Sequence, residues 1–203
     1  MSFYFDPVHV TQAAAYLVSC AGKPRMERMK LLKLLYFADR ESLREQGFPI
    51  TGDTPYAMEY GPVLSRVYDY IKGQCKNDPG QEFWSKHFQT VSSREVELIN
   101  DAGMSELTRY EIGILEKVCT EHEHLDAMGL SELSHEFPEW AGNYVSGTSV
   151  VIPLDSLMDA LGIAREEERR EIRRTREEDL EYFEGMQKLK HGLEHPSGGM
   201  SKS

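Results

Sequence analysis

The segment RMERMKLLKLLYFADRESLREQG, residues 25 to 47, constrains the fold more than any other part of the chain. At 100° per residue, Met29, Leu31, Leu32, Leu34, Leu35, Tyr36 and Ala38 spread over roughly 220° of a helical wheel. Lys30, Lys33, Arg40 and Glu41 share the remaining sector, and Phe37 intrudes even there. A surface helix carries a narrower apolar stripe. This one therefore predicts a central strut packed by several neighbours, with Lys30, Lys33 and Arg40 along its one solvent seam. Asp39 falls inside the apolar arc, between Leu32 and Leu35. A carboxylate there reads either as a buried fastener, satisfied by a helix N-terminus or a nearby Lys, Arg or Tyr, or as a partner-facing acid in a cleft.

Other signals place helices around this strut. Asp6 and Pro7 read as an N-cap and a proline at the first helical position, and Gly22 and Pro24 end that helix. FPITGDTPYAMEYGPV is a Gly- and Pro-rich loop or short extended segment, after which Gly61 and Pro62 are expected to open a helix with Val63, Leu64, Val67, Tyr68 and Ile71 inward. Residues 81 to 105 are the least regular, with a short strand in REVELIN. Thr108 and Glu111 form a capping box, with Leu107 and Ile112 placed for a hydrophobic staple. GLSELSHEFPEW reads as a short helix cut by Pro138, SVVIP as a short strand and LDSLMDALG as a helix ended by Gly162.

Residues 165 to 179 then change character, with six Arg, six Glu, one Asp and a single clearly apolar side chain, Ile172. They predict a solvated helix with internal ion pairs that barely packs, or a spacer reaching a partner. Leu180, Phe183, Met186 and Leu189 restore an apolar stripe, and HPSGGMSKS reads as a flexible tail. The expected fold is mainly α: a compact multi-helix domain over 1–162 with one or two short β-strands, then a long charged C-terminal helical arm and tail over 163–203.

Charge and composition exclude several functions. The 203 residues carry a net charge of -11, a field that repels phosphate. The arginine-rich arm is itself -1 over 165 to 179, so counterion release has little uncancelled positive charge to work with, and no nucleic-acid partner is expected. Cys20, Cys75 and Cys119 make no CxxC pair and predict no disulfide framework; Cys20 and Cys119 fall at apolar helical spacing and read as small buried hydrophobes. No apolar run reaches membrane-span length and no secretory signal is apparent, so the cytoplasm is expected. Cys119, His122 and His124 lie close in sequence, but i,i+2 histidines diverge on a helix, and neither near match to HExxH is complete. No metal, cofactor or catalytic residue is expected from these patterns, and a metal-dependent enzyme is the weaker alternative.

Several motifs in order resemble those of one family. Lys33, Leu34, Leu35, Tyr36 and Phe37 are followed by Gly61, Pro62, Val63 and Tyr68, and then by LTRYEIGILEKV and GLSELSHEFPEW with Leu133, Ser134, His135 and Trp140. Over about residues 10 to 160 this is similar to the antitoxin SocA-like, or Panacea, domain. The resemblance implies a mainly helical antitoxin of a bacterial or prophage toxin–antitoxin pair, without catalysis. Members neutralise unrelated toxins, including toxic small alarmone synthetases, by direct protein contact, and one acts as a proteolytic adaptor. Lys33, Leu35, Tyr36, Gly61, Pro62, Val63, Tyr68, His135 and Trp140 are then structural motif residues. Candidate partner contacts are Asp39, Arg40, Tyr60, Arg165, Arg169 and Arg173. The partner is a protein toxin acting on translation, replication or nucleotides, with homo- or hetero-oligomers both open. Autorepression through DNA ranks lower, because no helix-turn-helix with a basic recognition helix is apparent.

Overall fold

A computed structural model describes residues 3–194 of the chain, with side chains as far as 189. The predicted tail HPSGGMSKS lies outside the described residues. Helix α1, Pro7–Cys20, starts where Asp6 accepts hydrogen bonds from the Val8 and His9 amides at 2.8 and 3.1 Å. The strut is α2, Arg28–Gln46, closed by Gly47 in the left-handed region at φ 82°. That conformation suits glycine because the β-carbon of any other residue would crowd the backbone there.

Every residue from 31 to 39 is buried. The most extensive neighbours of α2 are α1, the capped helix α5 (Arg109–Glu121), helix α6 (Ala127–His135) and a β-strand, β3 (Gly61–Leu64). Lys33 corrects the expected solvent seam: it is fully buried, turned under the Gly61–Pro62 backbone. Arg25–Glu27, read as the first turn of the strut, is instead strand β1, in a three-stranded antiparallel sheet of order β1-β5-β4 with β4 at Phe88–Thr90 and β5 at Glu95–Leu98. Cys20 is also corrected, being exposed rather than buried.

The Gly61–Pro62–Val63 motif does not open a helix. It forms β3, paired antiparallel with β2 (Pro55–Met58), and β6 (Val150–Val151) adds the third strand on the far side of β2. Gly61 has φ 89°, outside the helical range. Helix α3, Ser65–Lys72, starts only after Leu64, which caps nothing with its side chain. Asp53 replaces the missing cap from the preceding loop. Its carboxylate accepts from the Arg66 and Val67 amides at 3.1 and 3.0 Å and from the Ser65 hydroxyl at 3.2 Å.

The irregular region contains α4, Pro79–His87, which starts where the Asp78 side chain accepts from the Gly80 amide. The capping box of Thr108 and Glu111 forms as expected. Pro138 ends the α6 segment and begins α7, Pro138–Ala141; α8 spans Leu154–Ala160 and α9 spans Glu166–Glu194. The fold is thus mainly helical, with six short strands among the described residues rather than one or two.

Helix α9 is tied back to the body. Ile172 is 4% exposed and packs over Gly47, where an added β-carbon would sit 3.2 Å from its Cγ1. Arg169 reaches Asp155 and Asp159 on α8 at 3.2 and 2.5 Å, and Arg173 reaches Asp155 at 2.6 Å. Further along, Asp179 accepts from the Phe3 amide at 2.8 Å and Phe183 stacks on Tyr4 with centroids 5.0 Å apart. Ile172, the Phe183–Tyr4 stack and a few polar ties therefore hold a helix whose exposed side chains are mostly charged, with Tyr182, Met186 and Leu189 exposed near its end.

Candidate functional site: a buried polar junction and the surface around it

Three separated sequence motifs meet at one buried junction. Lys33, from the middle of α2, donates from Nζ to the Pro62 carbonyl at 2.9 Å. Among the described residues its ammonium has no carboxylate partner, and burial lowers its pKa to about 7. Gly61 lies so close that a β-carbon there would be 2.5 Å from Lys33 Nζ and 2.1 Å from Ser134 Oγ. Ser134 in turn donates to the Ser131 carbonyl at 2.8 Å, and Ser131 donates to the Tyr60 carbonyl at 2.9 Å. The helix α2, the hairpin β2–β3 and the helix α6 are thereby locked together.

A second arm of the junction runs through Glu139. Its side chain is fully buried and accepts from the Tyr36 phenol at 2.7 Å and from Arg40 Nε at 2.5 Å. Burial first, and the Glu139 carboxylate second, hold the Tyr36 phenol well above its ordinary pKa. The Arg40 guanidinium also lies 3.8 Å from the centroid of the Phe137 ring. Trp140 is sandwiched between His135 and Tyr144, at 4.2 and 4.8 Å, and its indole N–H donates to the Met58 carbonyl at 2.9 Å. His135 Nε2 is buried without a hydrogen-bond partner among the described residues. Leu35 lies in the core, and Val63 and Tyr68 pack against it partly buried.

Asp39 belongs to a third arm. It is 7% exposed and accepts from the Ile50 and Thr51 amides at 2.9 and 2.8 Å, and also from the Thr51 hydroxyl. Burial pushes its carboxyl up to about 7, against the pull of those hydrogen bonds. The carboxylate thus pins the loop that follows α2.

The sequence-predicted partner residues divide into groups. Asp39, Arg40 and Arg173 line one cleft of about 580 Å³ beneath α9, with Tyr36 and Phe183 also in its wall. Arg169 is engaged with α8. Arg165 is exposed and paired with Glu168, and Tyr60 is exposed at the hairpin turn. Among the described residues no ligand set gathers around Cys119, His122 and His124: Cys119 is buried with its thiol pushed up to about 12 by burial, His122 meets Phe37 edge-on at 5.0 Å, and His124 is exposed. Glu139, Ser131 and Thr51 escaped the sequence reading because each is a lone polar residue whose partner comes from elsewhere in the chain. Glu139 left one trace, a carboxylate between two aromatics in FPEW.

Fold and junction together define a mainly helical domain whose strut, glycine-proline hairpin and Ser-His…Trp segment are bonded to one another. The chain belongs to the antitoxin SocA-like, Panacea domain family, which matches residues 31–141 and so more than half of its length. Lys33, Tyr36, Gly61, Pro62, Ser134, His135 and Trp140 all lie within that match, whereas α9 lies outside it. No curated protein and no solved structure matches the chain.

Proposed function

We propose that this protein is the antitoxin of a bacterial or prophage toxin–antitoxin pair, acts in the cytoplasm and neutralises its toxin by direct protein–protein binding, without catalysis. One observation carries the reading: within the family-matched segment, Lys33, Tyr36, Ser134 and Trp140 spend their side-chain hydrogen bonds inside the fold. Lys33, Tyr36 and Ser134 are fully or almost fully buried and lie against Pro62, Glu139 and Ser131. Residues arranged this way shape a body, and recognition is left to the outside. The candidate contacts are the exposed Tyr60 and Arg165, the cleft residues Asp39, Arg40 and Arg173, and Arg169 beside them.

The charge of -11 suits a toxin that acts on nucleotides or tRNA, such as a small alarmone synthetase, because such an enzyme needs a basic substrate site. The test is to express the neighbouring reading frame alone and together with this protein. The expected result is growth arrest in the first case, rescue in the second, and co-purification of the two chains with an unchanged toxin half-life. Rescue with a shortened half-life would mean a proteolytic adaptor instead, and failure to rescue would contradict the reading.

A further inference from the structure

The tip of the β2–β3 hairpin and the adjoining edge of α6 leave large apolar side chains uncovered. Tyr60 is 52% exposed and Met128 is 50% exposed. The two elements that carry them are bonded to each other. Ser131 holds the Tyr60 carbonyl, and Met128 lies one turn before Ser131 on the same helix. The Met58 carbonyl, on the other side of the turn, is held by the Trp140 indole. The turn is thus tethered at both ends, and little ordering is left for a binding event to impose.

Acidic side chains predominate along this part of the chain, and Lys30, which reaches the start of α6, is held there by the Leu125 and Glu123 carbonyls at 2.6 and 3.3 Å. Residues 118 to 164 contain eight Asp and Glu and no Lys or Arg. Three of the eight are neutralised within the fold: Glu139 by Arg40, and Asp155 and Asp159 by Arg169 and Arg173. Glu132 and Glu136, which follow Met128 along α6, are exposed, as is Glu59 beside Tyr60. None of these three has an ion pair among the described residues.

We propose that this face, Tyr60 and Met128 flanked by Glu59, Glu132 and Glu136, docks a partner protein that presents an apolar pocket rimmed by Lys and Arg. The inference rests on the antitoxin reading and moves its principal contact away from the cleft beneath α9. A tyrosine on a rigid turn is a typical energetic anchor, and an acidic rim steers a basic partner and rejects an acidic one. A second copy of this chain is disfavoured as the occupant, since a two-fold contact would set the same acidic rims against each other.

The test uses the full chain and the product of the neighbouring reading frame. Tyr60→Ala with Met128→Ala should weaken binding at least tenfold and leave thermal unfolding unchanged. Glu59→Gln, Glu132→Gln and Glu136→Gln together should slow association and flatten its salt dependence. Tyr182→Ala with Leu189→Ala, exposed on α9, should change neither. Undiminished binding by the Tyr60/Met128 variant would overturn this inference and leave the antitoxin reading standing. Absence of binding by the unaltered chain would overturn both. A homodimer that the same double variant dissociates would assign the face to a second copy and overturn the proposal as stated.

Discussion

Gly61 brings its backbone so near Lys33 that a β-carbon at position 61 would lie 2.5 Å from the buried ammonium. Its φ of 89° is a second, independent reason for glycine. Gly61→Ala should therefore destabilise the fold by about 3 kcal/mol, from a strained backbone together with the displacement of Lys33 Nζ and Ser134 Oγ from their buried hydrogen bonds. Gly73, at φ 64° with open space around it, separates the two effects. Gly73→Ala should cost only about 1 kcal/mol. Chemical denaturation of both variants checks the difference, and equal losses would refute the close packing.

Glu139 is a buried charge with two donors. Arg40→Met removes the cation and should destabilise by about 3 kcal/mol, because a buried carboxylate is left with one phenol. Adding Glu139→Gln should recover much of that loss, since the uncompensated charge disappears. A double-mutant cycle reads the coupling directly, and additive losses would show that the pair is independent.

Lys33 and Asp39 give stability a pH dependence of opposite sign. Asp39 titrates near 3.8 when unfolded and near 7 when folded, so between those values the folded state holds the extra proton and stability falls as pH rises. Lys33 titrates near 10.5 unfolded and near 7 folded, so between those values the unfolded state holds the extra proton and stability rises with pH. Their joint contribution is least favourable close to pH 7. In urea titrations, Lys33→Met should flatten the alkaline limb and Asp39→Asn the acid limb.

Ile172 anchors α9 against Gly47. Ile172→Ala should raise amide exchange along the helix, with a loss of about 2 kcal/mol in the stability of its docking. Arg174→Ala removes only exposed pairs with Glu171 and Glu178 and should change stability by less than about 0.5 kcal/mol. Hydrogen exchange across residues 166–189 distinguishes the two.

The parts of this fold legible in the sequence were those fixed by local chemistry. Asp6 before Pro7, Thr108 with Glu111, and Gly47 after the strut each act within a few residues, and each appears where expected. Asp39 was legible as an anomaly, although its partners, the Ile50 and Thr51 amides, were not those considered. Lys33 was misread because a helical wheel cannot show that a carbonyl 29 residues away replaces water at its ammonium. The Gly-Pro-Val segment was misread because proline near a helix start and proline in a hairpin strand look alike until the partner strand is known. Strands β1 and β4 exist only through pairing with β5, and three residues leave no periodicity to detect.

Titration of purified toxin with this protein tests the central claim most directly. Toxin activity should fall in proportion to added protein and vanish at a fixed small whole-number ratio, with no further change over time. Continued loss of activity at a hundredfold excess of toxin, progressing with incubation, would mean turnover and would contradict neutralisation by binding.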